Sequence, residues 1–116
     1  MIWLWLSAAF MATTAAVHSV LGYRRLMVPL LRDETGPLAA PLTRRIIRFA
    51  WHATSVLMLI SATAIAWPGT PNTLLVVIGA GWLASGLFDA AYTGGRHIAW
   101  PALSGAGIFA LIGALA

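Results

Sequence analysis

The chain is laid out as long apolar blocks separated by short polar connections. The blocks cover residues 2–23, 46–67, 74–92 and 98–116. Each comes close to the ~20 residues a helix needs to cross the hydrocarbon core of a bilayer. The pattern predicts an all-α protein, a single integral membrane domain over residues 1–116 folded as a compact four-helix transmembrane bundle.

The connections refine this picture. Residues 24–45 hold Pro29, Pro37 and Pro41, with Gly36 between the last two. A proline inside a helix costs ~3 kcal/mol, so one regular helix through this stretch is not expected. Leu26 to Leu31 is apolar but too short to span, and is expected to extend the first helix or to lie among the headgroups. Thr43 is the expected N-cap of the second helix. Pro68 to Thr73 reads as a tight uncharged turn, with Asn72 or Thr73 capping the third helix. Because the second and third connections are short, spans two and three, and spans three and four, are expected to be antiparallel neighbours.

Small residues recur at helical spacing. Ala8, Ala12 and Ala16 form a stripe on the first span, and Ala102, Ala106, Ala110 and Ala114 form another on the fourth. Gly81 and Ser85 make a small-xxx-small pair on the third. Such positions let helix backbones approach closely in lipid, where packing drives association.

Composition agrees with the membrane reading. Apolar residues make up 60% of the chain and charged residues 9%, against about 25% charged in a typical soluble protein. There is no cysteine, which excludes disulfides and thiolate metal sites. Every basic charge is an arginine, and the net charge is +4. Nucleic-acid binding is a poor reading of that charge, because the arginines flank apolar spans and no soluble domain presents them. The first span has no basic residue before it, unlike a cleaved signal peptide, and is expected to be retained.

Arginine placement predicts sidedness. Arg24, Arg25, Arg32, Arg44, Arg45 and Arg48 belong to the first connection or its edges, and Arg96 to the third. With four spans these connections share a side, which the positive-inside rule makes cytoplasmic. Both termini and the 68–73 turn are then expected to face outward, and the protein to be a multi-pass membrane component. Trp3, Trp5 and Trp67 would mark the outer interface, and Tyr23, Tyr92 and Trp100 the inner one.

Ionisable side chains inside the spans change the picture most. At 1.5 Å per residue, His18 lies about 9 Å inside Arg24, His52 about 6 Å inside Arg48, and Asp89 about 10 Å from Arg96. Intramembrane ionisable groups turn inward and find partners, so His18, His52 and Asp89 are expected to form a polar layer with Arg48, Ser55 and Ser85. Ser19 and Thr54 are further hydrogen-bonding candidates. Asp89 needs compensation near a helix C-terminus, from Arg48, Arg96 or His97. The bland reading is a hydrogen-bonded knot that fixes helix register. Three sharper ones compete with it: His18 and His52 as axial ligands of haem b, a divalent metal held with Asp89, and a proton relay. No pair of metal ligands shares a helix at i, i+4, and no nucleophile–base pattern, phosphate loop or paired-carboxylate site is present.

The run His18-Ser19-Val20-Leu21-Gly22-Tyr23-Arg24-Arg25-Leu26, then Pro29-Leu30-Leu31, then Arg48-Phe49-Ala50-Trp51-His52, resembles a family of small, uncharacterised four-span bacterial inner-membrane proteins. The segment after the glycine tends to be acidic in that family, where this chain has Tyr23. The resemblance implies four spans and draws attention to His18 and His52, and it supplies no activity. The expected function is that of a non-enzymatic accessory or structural subunit of a larger inner-membrane complex. Its partners would be membrane lipids and other integral membrane subunits or a second copy. A haem-binding or proton-relaying protein built on His18 and His52 is the alternative.

Overall fold

A computed structural model describes residues 1–116. The chain is 86% helical and has no strands. Its helices are α1 (Ile2–Arg32), α2 (Pro41–Ala66), α3 (Asn72–Thr93) and α4 (Ala99–Leu115), with a single 3₁₀ turn at Gly36–Ala39 between the first two. Three of them, α1 to α3, are long and apolar enough to cross a membrane. The fourth is equally apolar but has 17 residues, about 25 Å of helix.

α1 runs well past the end of its apolar block, to Arg32. From His18 to Met27 it widens into a π-helix, and Val28 N–H bonds back to the carbonyl of Tyr23, five residues away. A final α-helical turn, Val28–Arg32, carries Pro29 in its first positions. A missing N–H is least costly at the start of a helical segment, so the proline is accommodated without ending the helix. The apolar segment at Leu26 to Leu31 thus extends the first helix.

Neither expected N-cap forms. α2 starts at Pro41, whose fixed φ suits a first helical position, so Thr43 lies inside the first turn rather than ahead of it. α3 starts at Asn72 after Pro71, whose carbonyl accepts from the N–H groups of Leu74 and Leu75, and no side chain caps it. The far end of α3 closes on Gly94 in the left-handed region, φ 63°, with Gly95 N–H reaching the Ala90 carbonyl at 2.7 Å. Only a glycine adopts that conformation without penalty.

The helices pack in the order α2–α1–α4–α3. α1 and α4 form the centre, with α2 against α1 and α3 against α4, while α2 and α3 scarcely touch. Spans three and four are neighbours as their short connection predicts. Spans two and three are not, although their connection is equally short. The reason lies in where the small residues sit. Gly79 and Gly86 of α3 face Gly107 and Ser104 of α4, and a Cβ on Gly107 would fall 2.6 Å from the Gly79 carbonyl oxygen. On the other side of α4, Gly105 and Gly113 admit Phe10 and Leu4 of α1, and the buried Ser7 hydroxyl donates to the Ala106 carbonyl at 2.6 Å. Close backbone approach, rather than loop length, selects the partner. The result is a flattened bundle of 51 × 30 × 20 Å.

The core runs through Ala8, Met11 and Ala15 of α1, Met58, Ala62 and Ile65 of α2, Leu75 of α3, and Ala106, Ala110 and Ala114 of α4. The fourth-span alanine stripe is therefore buried, apart from the half-buried Ala102. The first-span stripe holds only in part: Ala8 is buried, Ala12 half-buried and Ala16 exposed. A strict four-residue repeat drifts about 40° per step around a 3.6-residue helix, and the buried line follows Ser7, Ala8, Met11 and Ala15 instead. Gly81 and Ser85 face outward, with nothing within 4 Å of a Cβ placed on Gly81.

These contacts make each packed pair antiparallel. All seven arginines consequently lie toward one end of the bundle. Met1, Ala116 and the turn between α2 and α3 lie at the other.

Candidate functional site

The polar side chains inside the spans gather at the seam between α1 and α2. The seam depends on a missing side chain. A Cβ on Gly22 would stand 2.8 Å from Cζ2 of Trp51, so only a glycine lets the indole lie against α1. Trp51 and His18 then engage each other twice. The indole Nε1–H donates to the His18 carbonyl at 2.9 Å, and His18 Nε2–H donates to the Trp51 carbonyl at 3.0 Å. Their rings are stacked, with centroids 4.0 Å apart and planes 14° from parallel.

One position further along each helix, a second set repeats the pairing. The Ser19 hydroxyl donates to Ser55 Oγ at 2.6 Å and stands 3.0 Å from His52 Nδ1. A hydroxyl has one proton, so with that proton on Ser55 the His52 Nδ1–H donates to Ser19. His52 Nε2 is left without a partner in the chain. A turn away, the Tyr23 ring lies against the His52 ring at 4.8 Å, and Arg48 Nε–H donates to the Tyr23 hydroxyl at 3.0 Å.

Local geometry explains why these residues meet. On α2, Arg48, Trp51, His52 and Ser55 follow the three-and-four spacing of one helical face. On α1, His18 and Gly22, and Ser19 and Tyr23, are each four apart within the π segment. The two pairs form adjacent columns that face α2. A π turn within an α-helix is frequently found at functional positions.

Compared with protein-family models, with curated proteins and with solved structures, the chain matches none. The reading of the site accordingly rests on its own geometry.

The expected single polar layer divides in two. His18, His52, Arg48 and Ser55 come together on the α1–α2 seam. Asp89 does not join them. Its carboxylate holds His97 Nδ1 at 2.8 and 3.0 Å, closing the connection between α3 and α4. Thr93 supports that connection, since its hydroxyl donates to the Asp89 carbonyl and accepts from His97 N–H. Of the three cations considered for Asp89, His97 is the partner. Ser85 spends its hydroxyl on the Gly81 carbonyl of its own helix, and Thr54 on that of Ala50. No group of three or more His, Cys, Asp or Glu side chains converges to hold a metal ion.

Three contributors carry no strong signal as single residues: Gly22, Tyr23 and Trp51. Glycine is common in apolar helices, and aromatics near a span end ordinarily read as interface anchors. The available signal was the match between two helices, with polar or small residues at three-and-four spacing on each.

Proposed function

We propose that the chain is a non-enzymatic integral subunit of a bacterial inner membrane, spanning it four times with both termini periplasmic. It acts by docking against the transmembrane helices of a larger complex or of a second copy. The sidedness rests on the arginines at one end of the bundle and the positive-inside rule. The observation that carries the docking reading is the outward Gly81–Ser85 pair. The other close-approach glycines of α3, Gly79 and Gly86, are consumed against α4. Gly81 has open space beside it, and Ser85 folds its hydroxyl back onto the Gly81 carbonyl. A small, polar-quenched patch of this kind suits a neighbouring helix in lipid.

The seam supports the same reading. His18 is stacked on Trp51 and bonded to its carbonyl, and Ser19 and Ser55 are bonded to each other. His18, Ser19 and Ser55 thus serve to hold α1 to α2.

Purification of the full chain in mild detergent tests the proposal. The expected result is a dimer or a complex with co-purifying membrane subunits. Gly81→Leu should release the chain as a monomer with its helicity retained. A wild-type particle that is strictly monomeric and alone, or an assembly indifferent to Gly81→Leu, overturns it.

A further inference from the structure

A different face, on α2, carries charge that nothing in the chain answers. Arg45, Arg48, Phe49, His52, Ala53 and Val56 line one open groove. Their spacing of three and four puts them on a single helical face. Of the three carboxylates, Glu34 is taken by Arg44, Asp89 by His97 and Asp33 by the Thr35 hydroxyl, so neither Arg45 nor Arg48 meets one. Arg48 is nonetheless fixed in place, because its Nε–H is held by the Tyr23 hydroxyl. Its two terminal nitrogens remain free, the arrangement with which a guanidinium grips a phosphate. His52 is fixed from behind by Ser19, which leaves Nε2 unpartnered. Phe49, beside Arg48 on the same face, is 74% exposed, and past His52 the groove ends on Ala53 and on Val56, which is 54% exposed.

We infer that this face is a binding site for an anionic phospholipid, with the phosphate between Arg45 and Arg48, His52 Nε2 beneath it, and an acyl chain along Phe49 and Val56. Depth agrees with the assignment. Arg45 to His52 is about 10 Å along the helix, and one headgroup layer is about 5–8 Å thick. With Arg45 in the headgroup layer, His52 therefore comes at or just inside its inner boundary. A soluble anion would use the arginines and leave the apolar half of the groove bare; a phospholipid fills both. The site concerns α2 and does not depend on what docks at Gly81 of α3.

Native mass spectrometry and lipid titration of the full chain in detergent, with phosphatidylglycerol, phosphatidylcholine and inorganic phosphate as probes, test the assignment. Phosphatidylglycerol should bind more tightly than phosphatidylcholine, and inorganic phosphate should not displace it. A basic residue near an anionic membrane surface contributes roughly a five-fold gain in affinity, so Arg45→Gln should lose about that factor and Arg45→Gln with Arg48→Gln roughly thirty-fold. Arg45 has no partner in the chain, so its substitution should leave melting unchanged. Arg44→Gln, which removes a residue already paired with Glu34, is the control and should keep lipid affinity. Val56→Ser should weaken phosphatidylglycerol binding. Equal binding of the two lipids overturns the proposal, as does displacement by inorganic phosphate. So does unchanged affinity in a folded Arg45→Gln protein.

Discussion

Trp51 occupies the space that a side chain at position 22 would fill. The indole lies so close to α1 that even a methyl group on Gly22 would stand 2.8 Å from Cζ2. That clearance permits the paired bonds between Trp51 and His18.

Gly22→Ala should therefore destabilise the protein. In an unobstructed helix the same change stabilises by about 1 kcal/mol. Overpacking here should reverse the sign and cost about 1–3 kcal/mol. Unfolding in a detergent series, with Gly81→Ala as the unobstructed comparison, measures both. A stabilised Gly22→Ala protein would contradict the packing described.

Ser19 and His52 offer a second test through a double-mutant cycle. Hydrogen bonds between helices in lipid contribute about 0.6 kcal/mol on average, with a maximum near 1.7. Ser19→Ala and His52→Ala should couple within that range, whereas Ser19→Ala and Thr54→Ala should not couple, since Thr54 bonds its own helix.

Haem binding can be tested by colour. His18 has its ring flat against an indole and its Nε2–H on a carbonyl, so axial ligation would require breaking both contacts. Protein made with ample haem should show no Soret band. A band abolished by His18→Ala would reverse that conclusion.

Sidedness is open to labelling. Single cysteines at Ala40, on the first connection, and Asn72, at the start of α3, both exposed, should react from opposite faces of sealed vesicles. Labelling of both from one face would remove the four-span arrangement.

Much of the fold was legible because composition and block length are sufficient to define apolar helices. The ends of α2 and α3 were less so: Thr43 and Asn72 are good caps in isolation, but Pro41 and Pro71 set where those helices begin. The neighbour order was not legible, because loop length allows α2 beside α3 while Gly79, Gly86 and Gly107 bring α3 to α4. His18 and His52 stood out as ionisable groups beside apolar neighbours. Ser19, the partner of His52, was among the candidate hydroxyls, but the partner of His18 was not legible, because it is a backbone carbonyl 33 residues away. Asp89 was misplaced for a simpler reason. Equal depth does not imply a shared side, and α3 stands at the opposite edge of the bundle from α2.

The widened stretch of α1 from His18 to Met27 sets the azimuth of everything beyond it. One residue added to or removed from an α-helix swings the following part by about 100°. Tightened to ordinary pitch with all its residues kept, the stretch would turn Tyr23 away from α2 while Ser7 kept its hold on α4. The π turn thus acts as a phase adjuster, letting one continuous helix satisfy two partners that its own periodicity would not align.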